Sequence, residues 1–477
     1  MYDLLLTNGH VVTVNGRRDS FHPGAVAVTG ATIQAVGPAA EFSGAQAQRV
    51  IDVSGKLVFP GLVNTHTHLF QTLLKGLGDD LVLSDWLLAA TLPSAIEFKA
   101  REAYASALLG CLDALHSGTT TLLDYNYAHP VPMLGDEAIR AFRATGIRAI
   151  LARGTTDAGA QFGIPAALRQ PGEEILADFR RLYEAYHGAD NGRLRVWLAP
   201  GSGWGCSEWM LREVRRLATE CRTGITIHVS ETPWDREAAA AVHGGRSDFG
   251  ALEAYGVLGP DLVMVHCVCL TPEEIAVTAR HDVKVSHNPV SNMYLASGVA
   301  PVPAMLSAGV VCSLATDGAA SNNTQDMIEV LKSAALLHKV ATLDPTAMTA
   351  EQVLELATID GARALGMEDS IGSLEAGKRA DLFVFDPGRS ARSVPMHHPV
   401  STLVYSGSAA NVELVMVDGR IVVEDGAVTC LDERAALAEA QLAATELAAR
   451  AGTAGRARNR PWPRPGSAAP ATLPERM

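Results

Sequence analysis

The chain has 477 residues, of which 48% are hydrophobic and 19% are charged, a balance typical of a folded globular protein. Its formal net charge of -13 disfavours a nucleic acid or an anionic membrane as a partner, because both would repel it at long range. No apolar run of about 18 residues occurs, and the opening MYDLLLTNGH lacks the basic stretch of a secretory signal. Together with seven scattered cysteines, an odd number, these features predict a cytoplasmic protein that binds a small molecule.

The N-terminal region is predicted to be a β structure. Residues 1–56 contain short apolar runs such as HVVTV and RVIDVSGK, separated by glycine-containing turns and without helical periodicity. We predict that they form the first part of a small β-sandwich.

Residues 57–373 alternate eight strongly apolar runs with amphipathic segments. Nearly continuous apolar runs are expected for parallel strands covered on both faces by helices. Eight such units predict an α/β protein with a closed (β/α)₈ TIM barrel. A doubly wound open sheet is the alternative, which the absence of GxGxxG after the first strand disfavours. The runs are LVFPGLVNTHTH, TTTLLDYN, IRAILARG, LRVWLAPGS, ITIHVSE, LVMVHCVCL, VKVSHNPVSN and VVCSLATDG.

The segment SEWMLREVRRLATECRTG shows how the intervening helices are recognised. Ser207 can cap the start, Leu211, Val214 and Leu217 recur on one face, and Gly224 is the expected end.

The C-terminal region returns to short strands. Residues 374–430 include ADLFVFD and VELVMVDGRIVVEDGAVT, with turn signals at VDGR and EDGA, and are predicted to complete the β-sandwich. A helix is predicted at 431–451 and a flexible tail at 452–477, where proline and glycine are frequent.

Polar side chains end several of the predicted barrel strands, where the chemistry of this fold takes place. His66 and His68 are two residues apart and therefore point to one face of a strand. His228 ends strand five and Asp317 ends strand eight. Three histidines and an aspartate match the ligands of one divalent metal ion, so we predict that these four residues bind it.

Three further polar residues lie at the same predicted edge. Glu231 follows His228 by three residues, His266 lies on strand six, and His287 ends strand seven. His287 adjoins the predicted site but has no obvious ligand position.

The ordered motifs PGLVNTHTH, HVSE, VMVHCV, SHNPVSNMYLASGVAPVP, ATDGAASNN and ATIDGARALGMEDSIGSLEAGKRADLFVFD resemble the amidohydrolase superfamily up to about residue 430. The resemblance is to the one-metal group that contains S-adenosylhomocysteine and methylthioadenosine deaminases, guanine-type deaminases and triazine hydrolases. Two-metal members need a bridging lysine at the end of strand four, and WLAPGSGWG has none.

The resemblance implies a metal-dependent hydrolase that acts on C–N bonds in cyclic amidines. The ion is expected to be zinc, with iron as the alternative. Metal-bound hydroxide attacks a ring carbon, Asp317 accepts the proton of the water, and Glu231 acts as the general acid/base. His266 is expected to hydrogen-bond the hydroxide or the substrate. A homodimer or a higher homo-oligomer is also implied.

The substrate implied is an amino-substituted N-heterocycle of the purine or adenosine-derivative, pterin or pyrimidine type, with release of ammonia. Two positions depart from S-adenosylhomocysteine deaminases, which disfavours a nucleoside substrate. Gly201 occupies the position of a histidine after strand four, and the position of a ribose-binding glutamate falls at about Ala95, with Glu97 nearby. HTHLFQTLLKG resembles the triazine hydrolases, so removal of chloride or an alkylamine from a ring carbon is an alternative. A cyclic amide hydrolase and a non-catalytic assembly protein are further alternatives, because fold alone does not fix function.

Seven residues are predicted to contact the substrate, because they follow strand ends or lie on the long first loop. They are Gln71, Trp86, Tyr125, Asn126, Trp204, Asn292 and Tyr294.

Overall fold

A computed structural model describes residues 1–458 of the chain, and the strands of this part form two sheets. The strands are β1 (Tyr2–Val12), β2 (Ser20–Thr29), β3 (Thr32–Pro38), β4 (Ala47–Asp52), β5 (Leu57–Pro60), β6 (Leu62–Thr67), β7 (Thr119–Asn126), β8 (Arg148–Thr155), β9 (Leu194–Pro200), β10 (Ile225–Val229), β11 (Leu262–His266), β12 (Lys284–His287), β13 (Cys312–Leu314), β14 (Leu382–Phe385), β15 (Val412–Val417), β16 (Arg420–Glu424) and β17 (Ala427–Val428).

Most of the helices lie between β6 and β14 in the chain, and the last two follow β17. They are α1 (Leu83–Trp86), α2 (Leu92–Ala95), α3 (Ala100–His116), α4 (Leu134–Thr145), α5 (Gly172–Tyr186), α6 (Ala189–Gly192), α7 (Glu208–Cys221), α8 (Pro233–Val242), α9 (Asp248–Ala254), α10 (Pro272–Arg280), α11 (Pro289–Tyr294), α12 (Val302–Ser307), α13 (Met327–Thr342), α14 (Ala350–Leu356), α15 (Ile359–Ala364), α16 (Pro399–Ser401), α17 (Glu433–Arg450) and α18 (Ala454–Arg458). None of those within residues 1–458 has the length and apolar character needed to cross a lipid bilayer.

The first sheet is built from both ends of the chain. Its order is β17-β16-β15-β14-β5-β1-β2-β3, and β4 pairs with β1. Side chains on β1 alternate between two apolar clusters, since Leu4 and Leu6 belong to one and Leu5 to the other. The prediction of a small β domain formed by both termini is confirmed, and its strands hydrogen-bond into one mixed sheet.

The second sheet contains the eight parallel strands β6 to β13 in chain order. Contacts between its two end strands close it, because Thr65 Oγ1 donates to Leu314 O at 3.2 Å and Asp317 N donates to His66 O at 3.1 Å. The interior of the barrel is filled by an apolar cluster that includes Trp197. The predicted (β/α)₈ barrel is therefore confirmed.

Both predicted Asp-Gly turns join strands of the terminal sheet. Asp418 and Gly419 have φ angles of 52° and 76° between β15 and β16, and Asp425 and Gly426 have 53° and 77° between β16 and β17. Positive φ at both central residues is the tight hairpin turn that Asp-Gly favours.

Helix α7 begins where the sequence predicts and ends earlier. Ser207 Oγ accepts a hydrogen bond from Met210 N at 3.1 Å, as an N-cap does. The helix is terminated by Arg222 in a left-handed conformation, two residues before Gly224. Gly224 instead packs against Trp197, where a Cβ would lie 2.4 Å from the ring. The expected role of Gly224 as the helix end was wrong, because close packing explains this glycine.

Two segment boundaries differ from the sequence prediction. The first apolar run supplies a strand to each sheet, since β5 pairs with β1 and β14 while β6 begins the barrel. At the other end, α17 fills most of the predicted helix and α18 lies inside the predicted tail. The rest of that tail, residues 459–477, lies outside the described residues, and the domain ranges stay a prediction.

Candidate active site

His66 and His68 lie at the carboxyl end of β6, on one side of the strand. β6 is buried along its whole length, and His68 is the first residue after it. The two imidazole ring centroids are 4.6 Å apart, and the rings are nearly perpendicular. The spacing of two residues therefore places both rings in one space, as the period of a strand dictates.

His228 and Asp317 reach the same place from β10 and from the loop after β13. His228 Nε2 lies 3.1 Å from His68 Nε2, and Asp317 Oδ1 lies 3.2 Å from His66 Nε2 and 3.4 Å from His68 Nε2. Asp317 has a left-handed φ of 62°, stabilised by its backbone hydrogen bond to His66 O. The barrel thus brings together all four predicted metal ligands.

His266 lies next to this cluster, with its Nε2 4.0 Å from Asp317 Oδ2. His66, His68 and His228 offer nitrogen atoms within 4.8 Å of one another, and two nitrogen atoms of His66 and His266 lie equally close to a carboxylate oxygen of Asp317. Burial lowers the pKa of His266, but Glu231 and Asp317 outweigh that effect and raise the pKa above its ordinary value. His266 therefore differs electrostatically from the other three histidines.

The hydrogen bonding of the cluster fits a bound cation. His68 Nδ1 lies 2.7 Å from Tyr125 O, which places the ring proton on Nδ1 and leaves a lone pair on Nε2. That lone pair faces His228 Nε2 at 3.1 Å, so a proton or a cation can lie between the two nitrogen atoms. Both ring nitrogens of His66 are buried without a hydrogen-bond partner. Three imidazoles and one carboxylate are a donor set for zinc or iron.

Burial keeps these imidazoles neutral. It lowers the pKa of His66, lowers that of His68 to about 3, and lowers that of His228 well below its ordinary value. Burial alone would raise the pKa of Asp317, but the side-chain contact with His66 is the largest opposing effect, and the pKa lies well below its usual range. Neutral imidazoles beside an ionised carboxylate are the protonation states that metal binding requires.

Glu231 lies beside the cluster, two residues beyond β10. Its Oε2 is 3.4 Å from His266 Nε2, and its Oε1 accepts a hydrogen bond from Ser297 Oγ at 2.9 Å. Burial raises the pKa of Glu231 to about 7, against the opposing effect of His266. A carboxyl group of this pKa can both give and accept a proton near neutral pH.

Asn292 holds His266 from behind. Its Oδ1 lies 2.9 Å from His266 Nδ1, and its Nδ2 is buried without a partner. His266 also has a left-handed φ of 69°, which is uncommon for a residue with a side chain. Both the backbone and the ring of His266 are therefore fixed by the surrounding structure.

Two tyrosines and a glutamine pack around the histidines. The Tyr125 ring centroid lies 4.5 Å from that of His228, and its hydroxyl donates to Pro200 O. Gln71 Nε2 donates to the Tyr127 hydroxyl at 3.1 Å. Gln71 packs so closely against the residue after Asp317 that a Cβ on Gly318 would lie 1.9 Å from Gln71 Oε1.

A cavity of about 90 Å³ lies at the cluster, and three of the seven predicted substrate contacts line it. These are Trp86, Tyr125 and Trp204, whereas Gln71, Asn126, Asn292 and Tyr294 are not among the lining residues. The four have internal partners instead. Asn126 Nδ2 donates to Asp124 Oδ2 at 3.2 Å, and the Tyr294 hydroxyl accepts from Asn323 Nδ2 at 3.1 Å. Asn292 and Gln71 instead contact His266 and Tyr127, which do line the cavity.

Sequence reasoning missed Tyr127, Asp235 and Ser297, which line the cavity or contact Glu231. Tyr127 lies two residues after Tyr125, so strand periodicity was an available signal. Asp235 also caps α8 with Thr232, and that spacing indicates a helix start rather than a site. Ser297 lies in a loop, and its contact with Glu231 depends on packing that no local pattern encodes.

His287 faces away from the cluster. Its Nε2 lies 3.1 Å from His338 Nε2 on α13, while the preceding Ser286 points into the barrel and bonds Thr65 Oγ1 at 2.8 Å. This alternation agrees with the expectation that His287 has no ligand position.

A parallel barrel that collects histidines, an aspartate and a glutamate at the carboxyl ends of its strands defines a metal-dependent hydrolase. The chain belongs to the amidohydrolase family, whose model matches residues 57–422. The resemblance predicted from the motifs is confirmed, and membership implies a divalent metal ion.

Two relatives of named activity align with almost the whole chain. The 5'-deoxyadenosine deaminase of Methanosarcina acetivorans is 39% identical over 452 residues, which cover 94% of this chain and 100% of the relative. The 5-methylthioadenosine/S-adenosylhomocysteine deaminase of Syntrophobacter fumaroxidans is 40% identical over 425 residues, which cover 89% and 93%.

Solved structures share the architecture. An adenosine deaminase from Xanthomonas campestris with bound zinc has a TM-score of 0.87 and 30% identity, covering 94% of this chain and 99% of its own. A variant of atrazine chlorohydrolase from Arthrobacter aurescens has a TM-score of 0.87 and 24% identity, covering 92% and 100%. At that identity the second likeness shows the fold alone.

Proposed function

We propose that this protein is a hydrolytic deaminase that replaces the amino group of the adenine ring in adenosine derivatives by oxygen and releases ammonia. The observation that carries the proposal is the buried carboxyl group of Glu231, whose pKa is raised to about 7, in one cavity with His68, His228 and Asp317. Two relatives named as deaminases of adenosine derivatives support the choice of ring.

A divalent metal ion would be held by His66, His68, His228 and Asp317. The free lone pair of His68 Nε2, the unpartnered ring nitrogens of His66 and the neutral imidazoles support this assignment. Zinc is the first choice, because the Xanthomonas structure contains it, and iron is the second. When bound, a divalent ion supplies Lewis acidity that makes hydroxide available near neutral pH.

Glu231 moves the protons of the ring and of the leaving group. Addition of water oxygen to the ring carbon pushes electrons onto a ring nitrogen, which takes a proton from Glu231 Oε2. The carboxylate then receives the remaining proton of the added water and transfers it to the amino group. Ammonia, rather than an unstable amide anion, departs as the ring C=O bond forms.

Asp317 and His266 prepare the water. Ser291 Oγ and Ser321 Oγ donate to Asp317 Oδ2 at 2.6 and 3.2 Å, which fixes the orientation of the carboxylate that accepts the first proton. His266 Nε2 lies 3.4 Å from Glu231 Oε2 and 4.0 Å from Asp317 Oδ2, so it can hydrogen-bond an oxygen held between the two carboxyl groups.

Deamination is favoured over the two hydrolytic alternatives. Removal of chloride or an alkylamine from a triazine is supported only by a likeness of fold. Hydrolysis of a cyclic amide would release no ammonia, so one assay separates it from deamination.

The proposal also includes a homo-oligomer in the cytoplasm. The cytoplasmic location is in keeping with the free thiols of all seven cysteines, which lie within residues 1–458.

The test is a release assay on the purified, zinc-loaded protein. Adenosine, 5'-deoxyadenosine, 5'-methylthioadenosine, guanine and atrazine are incubated separately, and ammonia and chloride are measured. We expect ammonia from the adenosine derivatives with kcat/KM of about 10⁴ M⁻¹s⁻¹ or more. Chloride from atrazine without ammonia from any adenosine derivative would contradict the proposal.

A further inference from the structure

The carboxyl group of Glu231 has a different neighbour at each oxygen. Oε1 accepts a hydrogen bond from Ser297 Oγ at 2.9 Å, and Oε2 lies 3.4 Å from His266 Nε2. Within residues 1–458, Ser297 is the one side chain that donates a hydrogen bond to this carboxyl group. The terminal torsion of a glutamate is otherwise broad and roughly two-fold, so this bond fixes the plane of the carboxyl group.

The loop that carries Ser297 is tightly held. Ser297 N donates to Asn292 O at 2.8 Å, which ties the loop to α11. The residues on both sides have positive φ angles, 54° at Ala296 and 126° at Gly298. At Gly298 a Cβ would also lie 2.9 Å from Val268 Cγ1, in the loop after β11. Such conformations persist where the surrounding structure enforces them, so the backbone of Ser297 is fixed beside Glu231.

Asn292 links the two neighbours of Glu231 to each other. Its backbone oxygen accepts from Ser297 N, and its Oδ1 lies 2.9 Å from His266 Nδ1. One residue therefore fixes both the hydroxyl group that contacts Oε1 and the imidazole that faces Oε2. This arrangement presents Oε2, rather than Oε1, to His266 and the donor cluster beyond it.

A neutral donor suits a carboxyl group that changes its protonation state. The Ser297 hydroxyl group can donate to Oε1 when Glu231 is ionised. It can also do so when the proton is on Oε2, because Oε1 is then the carbonyl oxygen. A lysine or an arginine in the same place would favour the ionised form alone. The hydrogen bond can therefore persist while the proton on Oε2 comes and goes.

We propose that Ser297 is a positioning residue for proton transfer, which holds Glu231 Oε1 so that Oε2 carries the mobile proton to the reacting ring and the leaving amine. This role rests on the proposed function, since it requires Glu231 to act as the general acid/base. Ser297 acts through Glu231 and is not a ligand of the metal ion. Its loss should therefore slow turnover without weakening the binding of substrate or zinc.

The experiment compares Ser297→Ala and Ser297→Thr with the zinc-loaded wild-type enzyme, using ammonia release from 5'-deoxyadenosine. For the alanine variant we expect kcat to fall by about 10- to 50-fold while KM and zinc content stay within about 2-fold. The threonine variant keeps the hydroxyl group and should recover most of the rate. Ser307→Ala is the matched control, because Ser307 is exposed on α12.

A double variant tests whether Ser297 acts through Glu231. If it does, adding Ser297→Ala to Glu231→Gln should change the residual kcat by less than about 2-fold, because the proton transfer that Ser297 supports is already lost. A second loss as large as that in the wild-type background would overturn the proposal, since Ser297 would then act independently of Glu231.

The other outcomes distinguish this inference from the proposed function. An unchanged kcat in Ser297→Ala, or a change confined to KM, would overturn the positioning role and leave the deaminase proposal intact. Equal losses in the alanine and threonine variants would also overturn it, because the hydroxyl group would then not be what matters. No ammonia from the wild-type enzyme with any adenosine derivative would overturn the proposed function, and the role of Ser297 with it.

Discussion

The donor cluster and the wall of the cavity are built in different ways. The cluster consists of side chains at strand ends that the closure of the barrel holds together. Donor atoms are 3.1 Å apart in His68 and His228, and those of His66 and His68 lie 3.2 and 3.4 Å from Asp317 Oδ1. The wall comes from connecting segments such as 83–92 and 164–168, which are held by apolar packing. In this fold the strand ends position the groups that carry out the reaction, whereas the loops form the surface that contacts the rest of the substrate.

Removal of the metal ion is expected to have the largest effect on activity, and it acts on the donor cluster rather than on the wall of the cavity. Dialysis against a chelator is expected to abolish ammonia release, by more than about 10³-fold, since the cluster alone supplies no Lewis acid. The melting temperature should fall as well, because a ligand that binds only the native state stabilises it. Both changes are measured before and after zinc is restored. Full activity with no metal detectable by elemental analysis would contradict the account.

Glu231→Gln tests the proton transfer at the edge of the cluster. We expect kcat to fall by about 10³-fold, because an amide cannot protonate the ring or the leaving amine. Zinc content and KM should stay close to those of the wild type. Glu237→Gln is the matched control, since Glu237 is exposed on α8. Substantial turnover by the first variant would remove Glu231 from the mechanism.

Substitutions of Asn292 test the hydrogen bond that holds the His266 ring in place beside the cluster. Asn292→Ala removes the acceptor of His266 Nδ1 and is expected to lower kcat by about 10- to 100-fold with little change in KM. Asn292→Asp keeps an acceptor oxygen and should recover most of the rate. Steady-state kinetics of both variants provide the measurement, and equal losses in the two would show that the hydrogen bond is not what matters.

The smallest effect on the kinetics is expected for a substitution in the wall of the cavity. Trp204→Phe removes the hydrogen bond to Asp235 and part of the apolar surface, so KM should rise by about 3- to 10-fold while kcat changes little. Trp209→Phe on α7 is the control, because Trp209 is exposed. A fall in kcat as large as that of Glu231→Gln would place Trp204 in the reaction itself and break the distinction between the two regions.

The cluster could be predicted from the sequence for a physical reason. Parallel strands end at one edge of a barrel, so His66, His228 and Asp317 converge once their strands are recognised. The same reasoning identified the barrel, because eight nearly continuous apolar runs need covering on both faces. Strand β5 of the terminal sheet (Leu57–Pro60) was not recognised as a separate strand, because it shares an apolar run with β6.

The wall could not be predicted in the same way. Asn126 and Tyr294 were expected at the cavity because they follow strand ends or loops, but each found a polar partner elsewhere. Leu83 and Leu168 line the cavity although neither lies near a strand end. Which loop residues face a cavity depends on packing between distant segments, and a local pattern does not specify that packing.

Anomalous scattering from crystals of the zinc-loaded protein, recorded at the zinc absorption edge, tests the central claim most directly. The account predicts one strong peak within coordination distance of His66, His68, His228 and Asp317, with Glu231 beside it and not among the ligands. A peak elsewhere in the chain, or one that takes Glu231 in place of Asp317 as a ligand, would contradict it.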